Sequence, residues 1–498
     1  MKRISYHLLL LLALGATLSV MSCKKLSEVN INPNQAASTH PQAQLTKVQW
    51  DAFRTWRGTA PLYVIKMLVQ TDGENANQIY SWQRGDFSQY NQLRNVIKMQ
   101  EEAENIEANS YIALAKFFKA YYFYNLTLHF GDIPYSDALK GESESIFSPK
   151  YDAQKDVFNG ILADLKEANE LLAANPDIIA GDIIYQGNSG QWQKLINAFR
   201  LKVLMTLSHK ESDTDLNIKS EFASIVVSQP LFTGIADDAQ LNFQDQEGNR
   251  YPEFNSSGYG SGMYVDSTFI RRLQDRQDPR LFVLIGQTRL GKEAGAALDD
   301  FSSYEGGDPV VPYAKVNDKA VAGRLSKVLE RYTDDPTTEP LVLLGYAEQQ
   351  YILAEAMVRG WIPGDAAVVY EQGIRSSFKF YENYAKGLSG FVSEDKVEAY
   401  LQQPIIRLDA ATSAEEKIER IMMQKYLRSF HQGGYSAYFD HLRTGYPDFR
   451  KANGVRVAYR WMYPQAEYNT NSDHVAEAIS RQFNSAGDNT HSKTWWLQ

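Results

Sequence analysis

A single cysteine, Cys23, serves a chain of 498 residues. No disulfide can form within one copy, so the fold has to be held by burial and hydrogen bonding alone. The position of Cys23 also assigns it a different task. Lys2 and Arg3 form a positive head, residues 8–20 form an apolar run, and the small Ser22 immediately precedes the thiol. That is the pattern of a secretory signal with a small-residue exit. The run is shorter than the ~20 apolar residues a membrane-spanning helix needs. Residues 1–22 are read as a lipoprotein signal peptide, and Cys23 is read as the lipidated residue, its thiol taking a diacylglycerol and its freed amine a third chain. Two or more chains make a stable anchor, whereas one is marginal.

Charge narrows the partners. The formal net charge is −9, and losing Lys2 and Arg3 with the signal makes it more negative. Nucleic-acid binding rests on basic patches that neutralise phosphates, so nucleic acid is an unsuitable partner. Anionic headgroups would be repelled too, which leaves the lipid as the contact with the membrane. With 44% apolar and 22% charged residues the balance is that of a globular protein with a large core. The 30 Tyr and 8 Trp admit two readings, ring packing between helices or a surface that stacks on sugar rings.

Helical periodicity dominates two stretches. Leu114, Phe117, Phe118, Tyr121, Tyr122, Asn125 and Leu128 make one wide apolar stripe, closed by Gly131 and Pro134. Val157, Ile161, Leu165, Ala168 and Leu172 make a second, and Trp192, Leu195, Ile196, Phe199, Val203 and Leu207 a third. These predict antiparallel helical hairpins. Late in the chain Ala347, Tyr351, Ala354 and Met357 end at Gly360, and Pro363 is expected to open a helix carrying Tyr370, Gly373, Ile374 and Phe378. The pair has the length of a tetratricopeptide hairpin, and the small Ala354 and Gly373 permit close helix approach. A further helix is expected at about 414–430, with Thr412 or Ser413 as its N-cap.

The remaining segments lack that period. Residues 23–45 read as the lipidated cysteine and a flexible tether. Residues 229–335 are rich in Gly, Ser, Asp and Pro, with helical period only near 265–274, and read as an irregular region with short strands. The expected organisation is one discontinuous domain over 46–498, a helical scaffold at about 46–228 and 336–498 around the irregular region at about 229–335. The fold class is mostly α.

Catalytic and metal motifs are sparse. HExxH, GxSxG and cysteine clusters do not occur, and the eight His are scattered. GYGSG at 258–262 lacks the strand and helix that frame a phosphate loop. Asp245, Glu247 and Asn249 have oxygen-ligand spacing for calcium but lack the rest of a binding loop. No cofactor, metal or catalytic residue is assigned, and the chain is read as a non-enzyme. Two loops instead suit a sugar, which stacks on an aromatic ring while amides and cations take its hydroxyls. In 77–91 the candidates are Tyr80, Trp82 and Arg84. In 251–264 they are Tyr251, Asn255, Tyr259 and Tyr264.

Several segments together resemble the SusD/RagB family of nutrient-binding outer-membrane lipoproteins. These are VNINPN (29–34), AKFFKAYYFYNLTLHFGDIPYSDAL (115–139), DRQDPRL (275–281), AEQQYILAEAMVRGWIPGDAAVVYEQGIRSSF (347–378) and IERIMMQKYLRSFHQGGYSAYFDHLRTGYPDF (418–449). The fourth is similar to the SusD-like branch in particular. The resemblance implies four tetratricopeptide-like hairpins wrapped by a ligand-binding half, and an outer-membrane, cell-surface location. It further implies a SusC-like TonB-dependent transporter as partner and a glycan or other nutrient as ligand, bound without catalysis. An acidic stretch often accompanies surface display in such lipoproteins. Here Lys24 and Lys25 follow the cysteine, so outward orientation rests on the resemblance. Two other classes make different demands. A lipid-anchored glycoside hydrolase needs two carboxyls about 5–9.5 Å apart across a bond, and a helical-repeat scaffold that binds protein needs an open concave helical face.

Overall fold

The computed structural model describes residues 40–260 and 262–498, which include one compact unit, Pro41–Gln498. Cys23 and the 29–34 segment lie outside the described residues. The longer helices are α1 (Gln42–Arg54), α2 (Gln89–Asn105), α3 (Asn109–Phe130), α4 (Gln154–Ala174), α5 (Ser189–Thr206), α6 (Ile218–Ser228) and α7 (Ser267–Asp275). They continue with α8 (Tyr313–Val321), α9 (Tyr346–Val358), α10 (Ala366–Tyr384), α11 (Glu394–Leu401), α12 (Ala414–Arg428), α13 (Ser436–Thr444) and α14 (Ser472–Phe483). The fold is mostly α. None of the described helices is long and apolar enough to cross a membrane.

Helix α3 is the axis of the first half. Its stripe is so wide that residues on all sides are buried, packed against α1, α2, α4 and α5. Contacts at both ends show that α3 and α4 run antiparallel. Asn109 at the start of α3 bonds Asn175 just past α4, and Gln154 at the start of α4 donates to the Thr127 carbonyl near the end of α3. The Gly131–Pro134 turn does more than stop the helix. Gly131 has φ +91°, and a Cβ there would lie 2.1 Å from Gln482 Oε1 of α14. Asp132 accepts from the Gln154 backbone N–H at 2.8 Å and from Arg481 at 2.8 Å, so one carboxylate caps α4 and ties it to the C-terminal segment.

The later hairpin follows the same logic. Helices α9 and α10 pack closely, and the approach depends on Gly373, where a Cβ would come within 2.6 Å of the Tyr351 ring. Helix α10 begins at Ala366, later than Pro363, because Asp365 supplies the cap by accepting from the Ala367 N–H at 2.9 Å. At the start of α12 the cap is Ser413, whose hydroxyl accepts from Glu416 N–H at 3.1 Å. The Glu416 carboxylate reaches back to Thr412 N–H at 2.7 Å, a near capping box.

The region 229–335 contains more helix than its composition suggests. α7 lies where the period survives, but α8 was not expected. It is nine residues long and buries fully only Val316, too short a stripe to stand out. Two antiparallel strand pairs stitch this region to the scaffold. β1 (Leu68–Gln70) pairs with β3 (Met263–Val265), and β2 (Gln240–Leu241) pairs with β4 (Leu341–Val342).

A buried ion pair ties the same region to the later helices. After α7 the chain turns through Asp278, and Arg280 returns a two-pronged contact to its carboxylate, the closer prong at 2.6 Å. Both side chains are fully buried. The remaining guanidinium hydrogens reach Ser377 of α10 at 3.0 Å and Gln424 of α12 at 2.8 Å, while the Phe378 ring lies 4.8 Å away. Asp278→Ala should therefore destabilise the fold by about 3–5 kcal/mol, because a buried guanidinium is left unpaired. Arg280→Lys should not be silent, since an ammonium cannot reproduce the fork. Gly373→Ala should cost about 1–3 kcal/mol by overpacking against Tyr351, outweighing the roughly 1 kcal/mol that Ala gains over Gly in a helix. Denaturant unfolding followed by circular dichroism reads all three.

Candidate functional site

The loop-rich half holds a cavity of about 610 Å³. Its walls come from the 255–264 loop, residues 286–292 and residues 320–334. The register of β1 and β3 sets one wall. Val69 opposes Tyr264, and the Tyr264 ring rests on a small cluster of Val69, Val316 and Leu325. The Lys327 ammonium lies 5.0 Å from the centre of that ring and donates to the Gly260 carbonyl at 3.1 Å. Thus an aromatic ring, half-buried and backed by apolar side chains, stands next to a cation that has no carboxylate partner among the described residues.

The rest of the lining is polar. Asn255 sits at φ +57°, and its backbone N–H is fixed to the Thr333 carbonyl at 2.8 Å. Its exposed amide is left without a partner among the described residues. The Tyr259 ring is 5.9 Å from His431, and burial, with Glu253 beside it, raises the Tyr259 hydroxyl well above the range of a free tyrosine. It therefore remains a proton donor at neutral pH. Arg289 is held by Glu293 at 2.9 Å, and Lys292 lies 3.6 Å from Glu330. Asp334 accepts from Thr333 at 2.9 Å.

A smaller cavity of about 280 Å³ lies at the other end of α8. It is lined by Asn75, Gln78, Tyr313 and Lys451, with Pro309 and Pro312 at its edge. Tyr313 is 44% exposed. Tyr313 opens α8 and Ala320, near its end, lines the larger cavity. At about 1.5 Å per residue the helix places these two lining residues roughly 10 Å apart along its axis.

Three of the seven candidate side chains, Asn255, Tyr259 and Tyr264, line the larger cavity together. The other four stand elsewhere. Tyr80 is buried at φ +56°, donates to the Val64 carbonyl at 2.9 Å and stacks on Tyr438. Trp82 is 6% exposed, among Tyr435, Tyr438 and Trp461, so its ring faces are occupied by protein. Arg84 is bound to Asp488 and the Tyr463 carbonyl. Tyr251 packs between Phe243 and Tyr332. From the 77–91 segment it is Gln78 and Ile79, and not Trp82, that line the smaller cavity. Lys327, Arg289 and Tyr313 carried no pattern of their own. The one available signal was the short apolar run Pro309–Tyr313, of which Val311, Pro312 and Tyr313 are exposed. Asp245, of the oxygen-rich triplet, is paired with Arg250 at 2.7 Å.

Comparison with known proteins agrees with this architecture. A family model described as SusD-like, starch-binding and associating with the outer membrane matches residues 33–464. A SusD homologue of Bacteroides fragilis is 52% identical, covers 93% of this chain and 100% of its own, and superposes with a TM-score of 0.89. An outer-membrane protein of Bacteroides vulgatus, described in connection with nutrient binding, is also 52% identical, with 92% and 100% coverage and a TM-score of 0.90. Among curated proteins, SusD-like protein P2 of Formosa agariphila is 25% identical over 184 residues, 33% of this chain and 32% of that relative's length. By the span of the family match and by the identity to full-length homologues, this chain belongs to the SusD-like family of outer-membrane-associated binding proteins.

Proposed function

We propose that this chain is a lipid-anchored, cell-surface nutrient-binding protein that captures an oligosaccharide and passes it to a SusC-like TonB-dependent transporter. The observation that carries the reading is the larger cavity, where an apolar-backed Tyr264 ring, the free Asn255 amide and the Lys327 ammonium converge. A pyranose can lay its C–H face on the ring and give its hydroxyls to the amide, the ammonium and the lining carboxylates. Two or three fixed polar groups in a cavity of this size are what specific small-ligand sites require. A chitin-binding protein, 25% identical with a TM-score of 0.74 over 92% of this chain, gives the sugar class added support. The role is binding without catalysis. The signal pattern ending at Ser22–Cys23 supports the anchor, and family membership supports the transporter as partner.

The separation of binding site from core gives a paired test. Tyr264→Ala should weaken oligosaccharide binding about tenfold, or about 1.4 kcal/mol, with little change in thermal midpoint, whereas Trp82→Ala should destabilise the fold by about 3–5 kcal/mol. Isothermal titration against a panel of chitin-, starch- and xylan-derived oligosaccharides, alongside differential scanning fluorimetry, distinguishes them. If Tyr264→Ala binds as the unaltered protein does, the cavity is not the site. Cys23→Ala should release the protein from the membrane fraction while its oligosaccharide affinity is unchanged. Purification from detergent-solubilised outer membrane should bring down a large barrel protein with it. Recovery of this chain alone would count against the transporter.

A further inference from the structure

The two stretches of helical scaffold meet at a small cavity of about 50 Å³, remote in sequence from the sugar-site loops. Its walls come from the Thr55–Arg57 turn after α1 and from α3, α5, α9, α12 and α13. The charges that face it do not balance. Arg57, Lys202, Lys425 and Arg428 line it, against only Glu348 and Asp440. Glu348 is shared among three cations and close to none, with Lys202 at 3.5 Å, Lys425 at 3.4 Å and Arg428 at 3.4 Å. Asp440 is divided between Lys425 at 2.6 Å and Arg443 at 2.9 Å. Arg443 adds a further cation just behind the lining but brings its own partner, Glu355. Arg57 has no carboxylate partner among the described residues. Its guanidinium donates to the main-chain oxygens of Val342 at 2.7 Å and Phe53 at 3.3 Å.

Among the lining residues cations outnumber carboxylates by two, in a poorly solvated place; Asp238, bonded to the Tyr346 N–H, acts on Arg428 from outside the lining. The Lys425 and Glu348 side chains are 6% and 8% exposed, and those of Arg428 and Lys202 are 14% and 15%. Burial, together with the like charge of Lys425, lowers Lys202 from the ordinary lysine range, and burial together with Arg428 lowers Arg57. Holding a charge out of water costs several kcal/mol per ion unless another charge and hydrogen bonds compensate it. Water alone can solvate these cations but cannot neutralise them. The space admits roughly three waters. A sugar ring does not fit, but one small anion does.

We propose that this junction is a binding site for one small inorganic anion of halide size, held among Arg57, Lys202 and Arg428. The anion shares its charge among cations on the α1 turn, α5 and α12, segments more than a hundred residues apart in sequence, and so fastens the first helices to the last. The site is separate from the sugar cavity and does not depend on that assignment.

Bromide tests it directly. The mature protein crystallised with sodium bromide should show an anomalous scattering peak in this cavity, within contact of Arg57 and Lys202. Ordered waters with no bromine signal would overturn the proposal. In solution, raising chloride or bromide against sodium gluconate at constant ionic strength should raise the thermal midpoint and saturate, with gluconate ineffective. Arg57→Gln should abolish that halide dependence, and Lys202→Gln is the second variant should the first fail to fold. A halide response that survives in either folded variant would remove the cavity as its source.

Discussion

The Asp278–Arg280 pair is the contact on which the two kinds of structure in this molecule depend. The loop-rich region between α6 and β4 has few long helices with which to bury itself. Its links to the scaffold include two short strand pairs, surface-edge ion pairs such as Lys194–Asp237, and this fully buried charge cluster. An isolated guanidinium at that depth would be strongly unfavourable, and the fork to Asp278 offsets the desolvation together with the bonds that Nη1 and Nη2 make to Ser377 on α10 and Gln424 on α12. The geometry is therefore all-or-none. α10 and α12 must be in place for Arg280 to be satisfied, and once they are, the turn after α7 has a single position. The walls of the larger cavity at 286–292 and 320–334 follow that turn in the chain and inherit its placement.

The scaffold was legible in the sequence because α3, α4, α5, α9, α10 and α12 carry long apolar stripes with recognisable ends. Gly131, Asp365 and Ser413 each act locally, through a positive φ or a side-chain cap, and such signals are written in a few adjacent residues. Cavity walls are different. Tyr264 lines one because β1, nearly two hundred residues earlier, sets its register, and Lys327 reaches it from across a loop. Neither fact has a local signature. The same holds for the aromatic-rich 77–91 segment. Trp82 and Tyr80 read as exposed stacking rings by composition, yet the later Tyr435, Tyr438 and Trp461 close over them, and nothing near position 82 announces those partners.

The abundance of aromatic residues resolves along the same line. Most Tyr rings are interior, and several spend their hydroxyls on main-chain oxygens, as for Tyr80 on Val64, Tyr370 on Ile406 and Tyr438 on Ala458. Tyrosine suits helix junctions that lack disulfides because it adds a large apolar face and one long-range hydrogen bond in a single side chain. The Tyr264 ring, half-buried and backed by a small apolar cluster, keeps a flank open, and Tyr313 is 44% exposed.

Titration of the interior obeys opposed constraints. Burial lowers His129 and His441 to about 4 and His431 to about 3, so these rings stay neutral in the fold while the unfolded chain would protonate them near 6.5. Between those values, falling pH favours the unfolded state. Burial raises Asp132 and Asp238 to about 6 and moves Asp266 upward as well, so these carboxyls take up protons in the fold before they would in the open chain. From about pH 6 down to the ordinary aspartate range, that uptake favours the folded state. The two sets act over the same window with opposite signs. A core whose protonation effects oppose one another makes stability less dependent on pH than either set would alone.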